Sequence, residues 1–251
     1  MTWQELYASD LQGLYALWAV PLLFLVLLAI DIRRRPDRVA VEPRASRFLR
    51  VYAVVFTLET MLDPLAGGPM LRWLGLADRP EAMIVVFFFV LLGDFRVFVL
   101  VFGLEAIRAG RGLRPALLEA AAWTFVVPVC TFVGLRALTA AIGKPPAQSL
   151  WLIYELGFLV VALAMRERIV PARVQDPRLR AFLRLVLAYV AIYYGLWASA
   201  DVLILATGAD RAWALRMIPN QLYYALYVPF LYGVAFSRRY AATSKATHPS
   251  R

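Results

Sequence analysis

Apolar residues in this chain gather into long unbroken runs instead of alternating stripes. Seven of these runs approach or reach the length that a hydrocarbon core of about 30 Å demands of a helix. They cover residues 11–31, 48–65, 82–104, 115–137, 149–165, 182–206 and 213–236, the second being the shortest and most polar. The pattern predicts an all-α polytopic membrane protein of seven transmembrane helices, with residues 1–251 forming one transmembrane domain. Composition agrees, since 62% hydrophobic residues and a mean hydropathy of +0.66 exceed what one soluble core conceals. No basic segment precedes the first run and no small-residue cleavage site follows it, so it is expected to be retained as a span.

The basic residues give the runs a direction. Of 27 arginines and lysines, 20 fall in alternate connections: Arg33, Arg34, Arg35, Arg38, Arg44, Arg47 and Arg50; Arg108, Arg111 and Arg114; Arg166, Arg168, Arg173, Arg178, Arg180 and Arg184; and Arg238, Arg239, Lys245 and Arg251. The other flank holds Arg72, Arg79, Arg136, Lys144, Arg211 and Arg216, with Arg96 inside a run. Basic residues beside spans stay on the cytoplasmic side. The N-terminus is therefore expected outside, residues 237–251 are expected to be a cytoplasmic tail, and the expected setting is a bacterial cytoplasmic membrane. The net charge of +10 follows topology and does not form one basic face, so no nucleic-acid partner is expected.

A short arginine-rich linker occurs twice. Residues 42–50 read EPRASRFLR and residues 176–184 read DPRLRAFLR, an offset of 134. Leu17-Trp18 returns as Leu150-Trp151, Ala77-Asp78-Arg79 as Ala209-Asp210-Arg211, and Met83-Ile84 as Met217-Ile218, at offsets of 133, 132 and 134. Anchors that agree in order and spacing argue for duplication. The repeated unit holds three spans, so a parallel arrangement needs one intervening helix. Residues 11–104 then form the first three-helix repeat, 115–137 the linker helix and 149–236 the second repeat. This 3+1+3 layout resembles the SWEET and PQ-loop class of seven-helix membrane proteins. The resemblance is architectural; the Pro-Gln dipeptide is absent, and Pro219-Asn220-Gln221 is its nearest counterpart.

Several chemistries lack their residues. Lysine occurs only as Lys144 and Lys245, neither inside a run, so no covalent retinal is expected. The single histidine, His248, lies in the tail, so haem ligation, a histidine-based zinc site and a histidine general base have no candidate. No cofactor or metal is expected. Cys130, the one cysteine, is expected to be a small core residue.

The runs do contain acids, which cost about 2.5–3.5 kcal/mol each at a helix centre on insertion scales. Glu59 and Asp63 are spaced i, i+4 in TLETMLDPL; Asp94 and Arg96 lie in LLGDFRVF; Glu155 follows Tyr154; and Trp197 and Asp201 are i, i+4 in YYGLWASAD. In PNQLYYALY, Asn220, Tyr223 and Tyr227 form one stripe, with Gln221 beside it. At about 1.5 Å per residue, Asp63, Glu155, Asp201 and Asn220 fall in the outer half and Glu59 and Asp94 near the middle. These residues are expected to line one cavity. Glu59, Asp94 and Asp201 would handle protons, or act as acid catalysts if the protein is an enzyme, and Asp63, Arg96, Glu155, Trp197, Asn220, Gln221, Tyr223 and Tyr227 would bind substrate. Five acids against Arg96 alone leave four uncompensated charges, balanced by protons or a bound cation. Glu119, near Arg114, is expected to be interfacial, and Arg50 and Arg184 to anchor helix ends.

Two functions fit. One is a transporter or solute-binding protein in which carboxylate protonation couples to movement of the repeats. The other is an intramembrane enzyme acting on a lipid or isoprenoid: the acid in the second run, Glu59, is similar to the pattern of small seven-helix membrane terpene cyclases, whose second acid comes late in the chain, where this sequence has Asn220 and, one helix earlier, Asp201. A non-catalytic assembly or sensory subunit is a third possibility. The expected partners are membrane lipid and a small-molecule solute or isoprenoid.

Overall fold

The computed structural model describes residues 1–36, 43–77, 79, 81–237 and 240, and among these the regular structure is entirely helical. Arg38, Glu42, Asp78, Arg238, Arg239, Lys245, His248 and Arg251, on which parts of the charge count and repeat rest, lie outside the described residues. A short helix α1 (Trp3–Tyr7) precedes α2 (Leu11–Arg34). Helix α3 (Pro43–Leu65) continues through a wide turn at Ala66–Met70 into Leu71–Trp73. Then come α4 (Glu81–Arg108), α5 (Leu113–Ile142), α6 (Gln148–Arg173) and α7 (Pro177–Thr207). Helix α8 is built from Ala212–Asn220, a wide turn at Gln221–Leu226, and Tyr227–Ala235. Helices α2, α4, α5, α6 and α7 are long and apolar enough to cross a membrane, which makes this an integral membrane helical protein.

Local sequence explains the ends. Thr2 and Glu5 form a capping box on α1. Asp176 accepts the backbone N–H groups of Arg178 and Leu179 at the start of α7, where Pro177 occupies the first turn. The same helix stops at Gly208, whose φ of 62° suits a residue without Cβ. The two similar arginine-rich linkers make comparable contacts at such ends. Arg50 donates to the carbonyls of Arg35 and Pro36 at 2.9 and 2.8 Å, just past α2. Arg180 donates to those of Val174 and Gln175 at 2.8 and 3.4 Å, just past α6. Each linker thus supplies a guanidinium to carbonyls just past the preceding helix, though from different positions of the shared pattern, since Arg180 corresponds to Ser46. Arg184 instead pairs with Glu167.

Helix α6 packs along α7, α7 along α8, and α3 along α4, while α8 also meets α2 and α3 to close the bundle. Helix α5 is peripheral: only 11% of its apolar window is buried, against 56% for α7. The outer surface is apolar along every long helix, for example Leu23 and Val26 on α2, Val55 and Leu62 on α3, Phe132 and Val133 on α5, and Leu215 and Ile218 on α8. Cys130 belongs to this exposed surface, which corrects the expected core position. Its face of α5 points away from α4 and α6. Tyr240 is buried, with its ring edge against Phe182. Glu119 is paired with Arg173 and not with Arg114.

Candidate functional site

A cavity of about 420 Å³ lies at the end of the bundle away from the arginine-rich connections. Tyr7 of α1, Gly13 and Leu17 of α2, Asp63 of α3, Asp94 of α4, Trp151, Tyr154 and Glu155 of α6, Tyr194 and Trp197 of α7, and Trp213, Arg216 and Asn220 of α8 contribute to its wall. Helix breaks surround it. The wide turn Ala66–Met70 brings Gly67 and Gly68 to the wall, and the one at Gln221–Leu226, just after Pro219, brings Tyr223 and Tyr224. Proline removes a backbone donor and crowds the preceding turn, and wide turns inside helices recur at functional sites.

Three charged clusters organise the interior. In the first, Asp94 is wholly enclosed and accepts hydrogen bonds from the hydroxyls of Tyr154 at 2.5 Å, of Tyr194, and of Tyr223 at 3.5 Å. These donors come from α6, α7 and α8, so one carboxylate ties three helices to α4. Tyr223 reaches it because Gly93 has no side chain: a Cβ there would stand 2.0 Å from the Tyr223 hydroxyl oxygen and 3.3 Å from Glu59 Oε1.

In the second cluster, Arg96 is 0% exposed and lies between two tyrosine rings, with its guanidinium carbon 4.1 Å from the Tyr223 centroid and 4.6 Å from that of Tyr227. It donates to the Tyr223 carbonyl at 2.8 Å and stands 3.7 Å from Glu59. Neither carboxylate oxygen of Glu59 has a hydrogen-bond partner among the described residues. In the third, Arg216 joins two acids, donating to Asp201 and, at 3.2 Å, to Glu155, with the rings of Tyr7 and Trp213 beside it. Trp197 donates its indole N–H to Asn220 Oδ1 at 2.9 Å.

Of the residues expected to share a cavity, Asp63, Asp94, Glu155, Trp197, Asn220 and Tyr223 are on its wall. Glu59, Arg96 and Tyr227 form the layer behind Tyr223, and Asp201 sits behind Arg216. Gln221 is half-buried on the wide turn of α8. The main correction concerns Arg216, which the charge count places on the outer flank. It is buried within α8, so two arginines face the five acids and the formal surplus is three negative charges. Its neighbours Ala214, Leu215, Met217 and Ile218 were the available signal, because a charge embedded in an apolar run points to a buried partner. Tyr154, Tyr194 and Trp213 were also missed as site residues, since their roles depend on contacts between distant helices.

No protein-family model, no curated protein and no solved structure matches the chain.

Proposed function

We propose that this protein is a membrane transporter or solute-binding protein of the cytoplasmic membrane, with seven spans in a parallel 3+1+3 arrangement and proton handling by its buried carboxylates. One observation carries the reading: the cavity wall draws on α2, α3 and α4 and on α6, α7 and α8, while the peripheral α5 is absent from it among the described residues. A site shared by two three-helix units is where movement of one against the other exposes a solute to alternate sides. Apolar residues exposed along α3 and α8 support their role as the remaining two spans. The arginine-rich end faces the cytoplasm in this reading, and the cavity lies in the outer half.

The charge count supplies the proton coupling. Five buried acids and two arginines are too costly to leave unbalanced in a low-dielectric interior, so protons or a cation must complete the set. Purified protein in liposomes with an imposed proton gradient is expected to show solute-dependent proton flux, abolished by Asp94→Asn with the fold retained. A reporter fused at residue 144 is expected outside and one after residue 240 inside. Reversal of that pattern overturns the orientation.

The aromatic wall favours a second reading, acid-initiated cyclisation of an isoprenoid, because Trp and Tyr faces stabilise cationic intermediates. Glu59, the residue that carries that resemblance, stands behind Tyr223 and Gly93, which ranks this reading second. A cyclised product from polyprenyl substrates would replace the transport reading.

A further inference from the structure

The two resident cations show what this interior accepts. Arg96 has one acid, Glu59, and two tyrosine rings; Arg216 has two acids, Glu155 and Asp201, and the rings of Tyr7 and Trp213. Each guanidinium combines carboxylate charge with aromatic faces, the pairing that makes a desolvated cation tolerable. Among the described residues, two acids on the cavity wall have no guanidinium at ion-pair distance. Asp94 is held by tyrosine hydroxyls, which supply hydrogen bonds but no positive charge. Asp63 is 5% exposed and lies within reach of the Tyr224 hydroxyl, yet its Oδ2 has no hydrogen-bond partner among the described residues. The wall that carries these two acids also carries the indoles of Trp151, Trp197 and Trp213.

Resting on the solute-binding reading, we propose that the ligand is a monovalent organic cation, an amine or quaternary ammonium, held by Asp63 and Asp94 and enclosed by the indole and phenol rings. As a third cation, placed in the manner of the two arginines, it lowers the surplus from three negative charges to two, which protons balance. Beside Asp63 Oδ2, a buried acceptor without a partner among the described residues, a protonated amine donates a hydrogen bond and a quaternary ammonium offers its positive charge alone. A neutral solute of the same shape would leave the negative surplus in place. An anionic solute would add to it. Bare inorganic cations suit the site less well, because they favour clustered oxygens over indole faces.

The test uses choline and its uncharged carbon isostere, 3,3-dimethylbutan-1-ol, titrated into the purified full-length protein and followed by tryptophan fluorescence and calorimetry. Choline is expected to bind at least tenfold more tightly than the alcohol. Asp63→Asn and Asp94→Asn are each expected to weaken it at least tenfold, while Asp63→Glu retains most of the affinity. Should Asp94→Asn lose its fold, Asp63→Asn carries the comparison, since Oδ2 of Asp63 makes no hydrogen bond to lose. Equal binding of choline and the alcohol overturns the cation assignment but leaves a solute site. Failure of both probes to bind overturns it as well. Binding of choline with no flux in liposomes upholds the assignment and removes transport.

Discussion

The two ends of this bundle use the same residue types differently. At the arginine-rich end, Arg173 holds Glu119 and stands 3.6 Å from Glu105, Arg108 is 2.9 Å from Asp176, and Arg184 is 2.8 Å from Glu167. These side chains are partly exposed and lie beside helix ends, which their neighbours Arg50 and Arg180 also satisfy. Around the cavity, Arg96 and Arg216 are buried, share their acids across helices and leave carboxylate oxygens without partners. Exposed pairs contribute little to stability, with a median of about 0–1 kcal/mol. Breaking a buried pair costs about 3–5 kcal/mol because the surviving charge is stranded. One end therefore anchors connections, while the other ties helices together through buried charge, which the proposed binding and proton handling would draw on.

The largest effect that would test this contrast is at Arg96. Arg96→Met removes the partner of Glu59 and empties the space between Tyr223 and Tyr227. A loss of about 3–5 kcal/mol is expected, read as a large fall in Tm and in monodisperse yield. The double variant Arg96→Met with Glu59→Gln should recover part of it. If Arg96→Met unfolds no more readily than a surface variant, the contrast between the ends fails.

A smaller effect is expected from Gly93→Ala, whose new Cβ would fall 2.0 Å from the Tyr223 hydroxyl oxygen. The ring must withdraw from Asp94, at a cost of about 1–3 kcal/mol for overpacking, with choline binding or flux lost at temperatures where the protein stays folded. Gly195→Ala is the control: nothing lies within 4 Å of its Cβ position, so a gain of about 0.5–1 kcal/mol from helix stiffening is expected. If both alanines behave alike in unfolding and binding, Gly93 has no special part in the site.

Smallest of all should be Glu119→Gln, which weakens one ion pair at the arginine-rich end. A change of no more than about 1 kcal/mol is expected, shrinking further in high salt, with flux unaltered. A loss as large as that of Arg96→Met would show that the surface network also holds the fold.

How far the sequence reveals this arrangement depends on the distance over which each signal acts. Apolar runs show where the helices are, because span length is a local property. Their ends fall short of the helices, since α3 begins at Pro43 and α7 at Pro177, five residues before the apolar runs that identify them. Polar residues continue a helix beyond its apolar stretch. Glu59, Asp63, Asp94, Glu155 and Asp201 were legible because an acid in an apolar run needs a reason. Arg216 was misplaced because counting charges near span ends cannot see that acids on α6 and α7 await it. Nor can spacing along the chain reveal that Tyr154 and Tyr194, 60 and 100 residues from Asp94, turn their hydroxyls to it.

The sandwich around Arg96 also bears on the order in which the chain can assemble. As synthesis proceeds, α4 enters the membrane carrying a guanidinium whose nearest earlier acid among the described residues is Glu59 of α3; the rings that flank it belong to α8, the last helix described. Until α8 is in place, Arg96 sits in a low-dielectric setting with one face open. Nascent chains that end before residue 220 therefore retain a poorly compensated charge. They are expected to be retained by insertion chaperones or degraded, and completion of α8 is expected to be the step that commits the bundle to its final form.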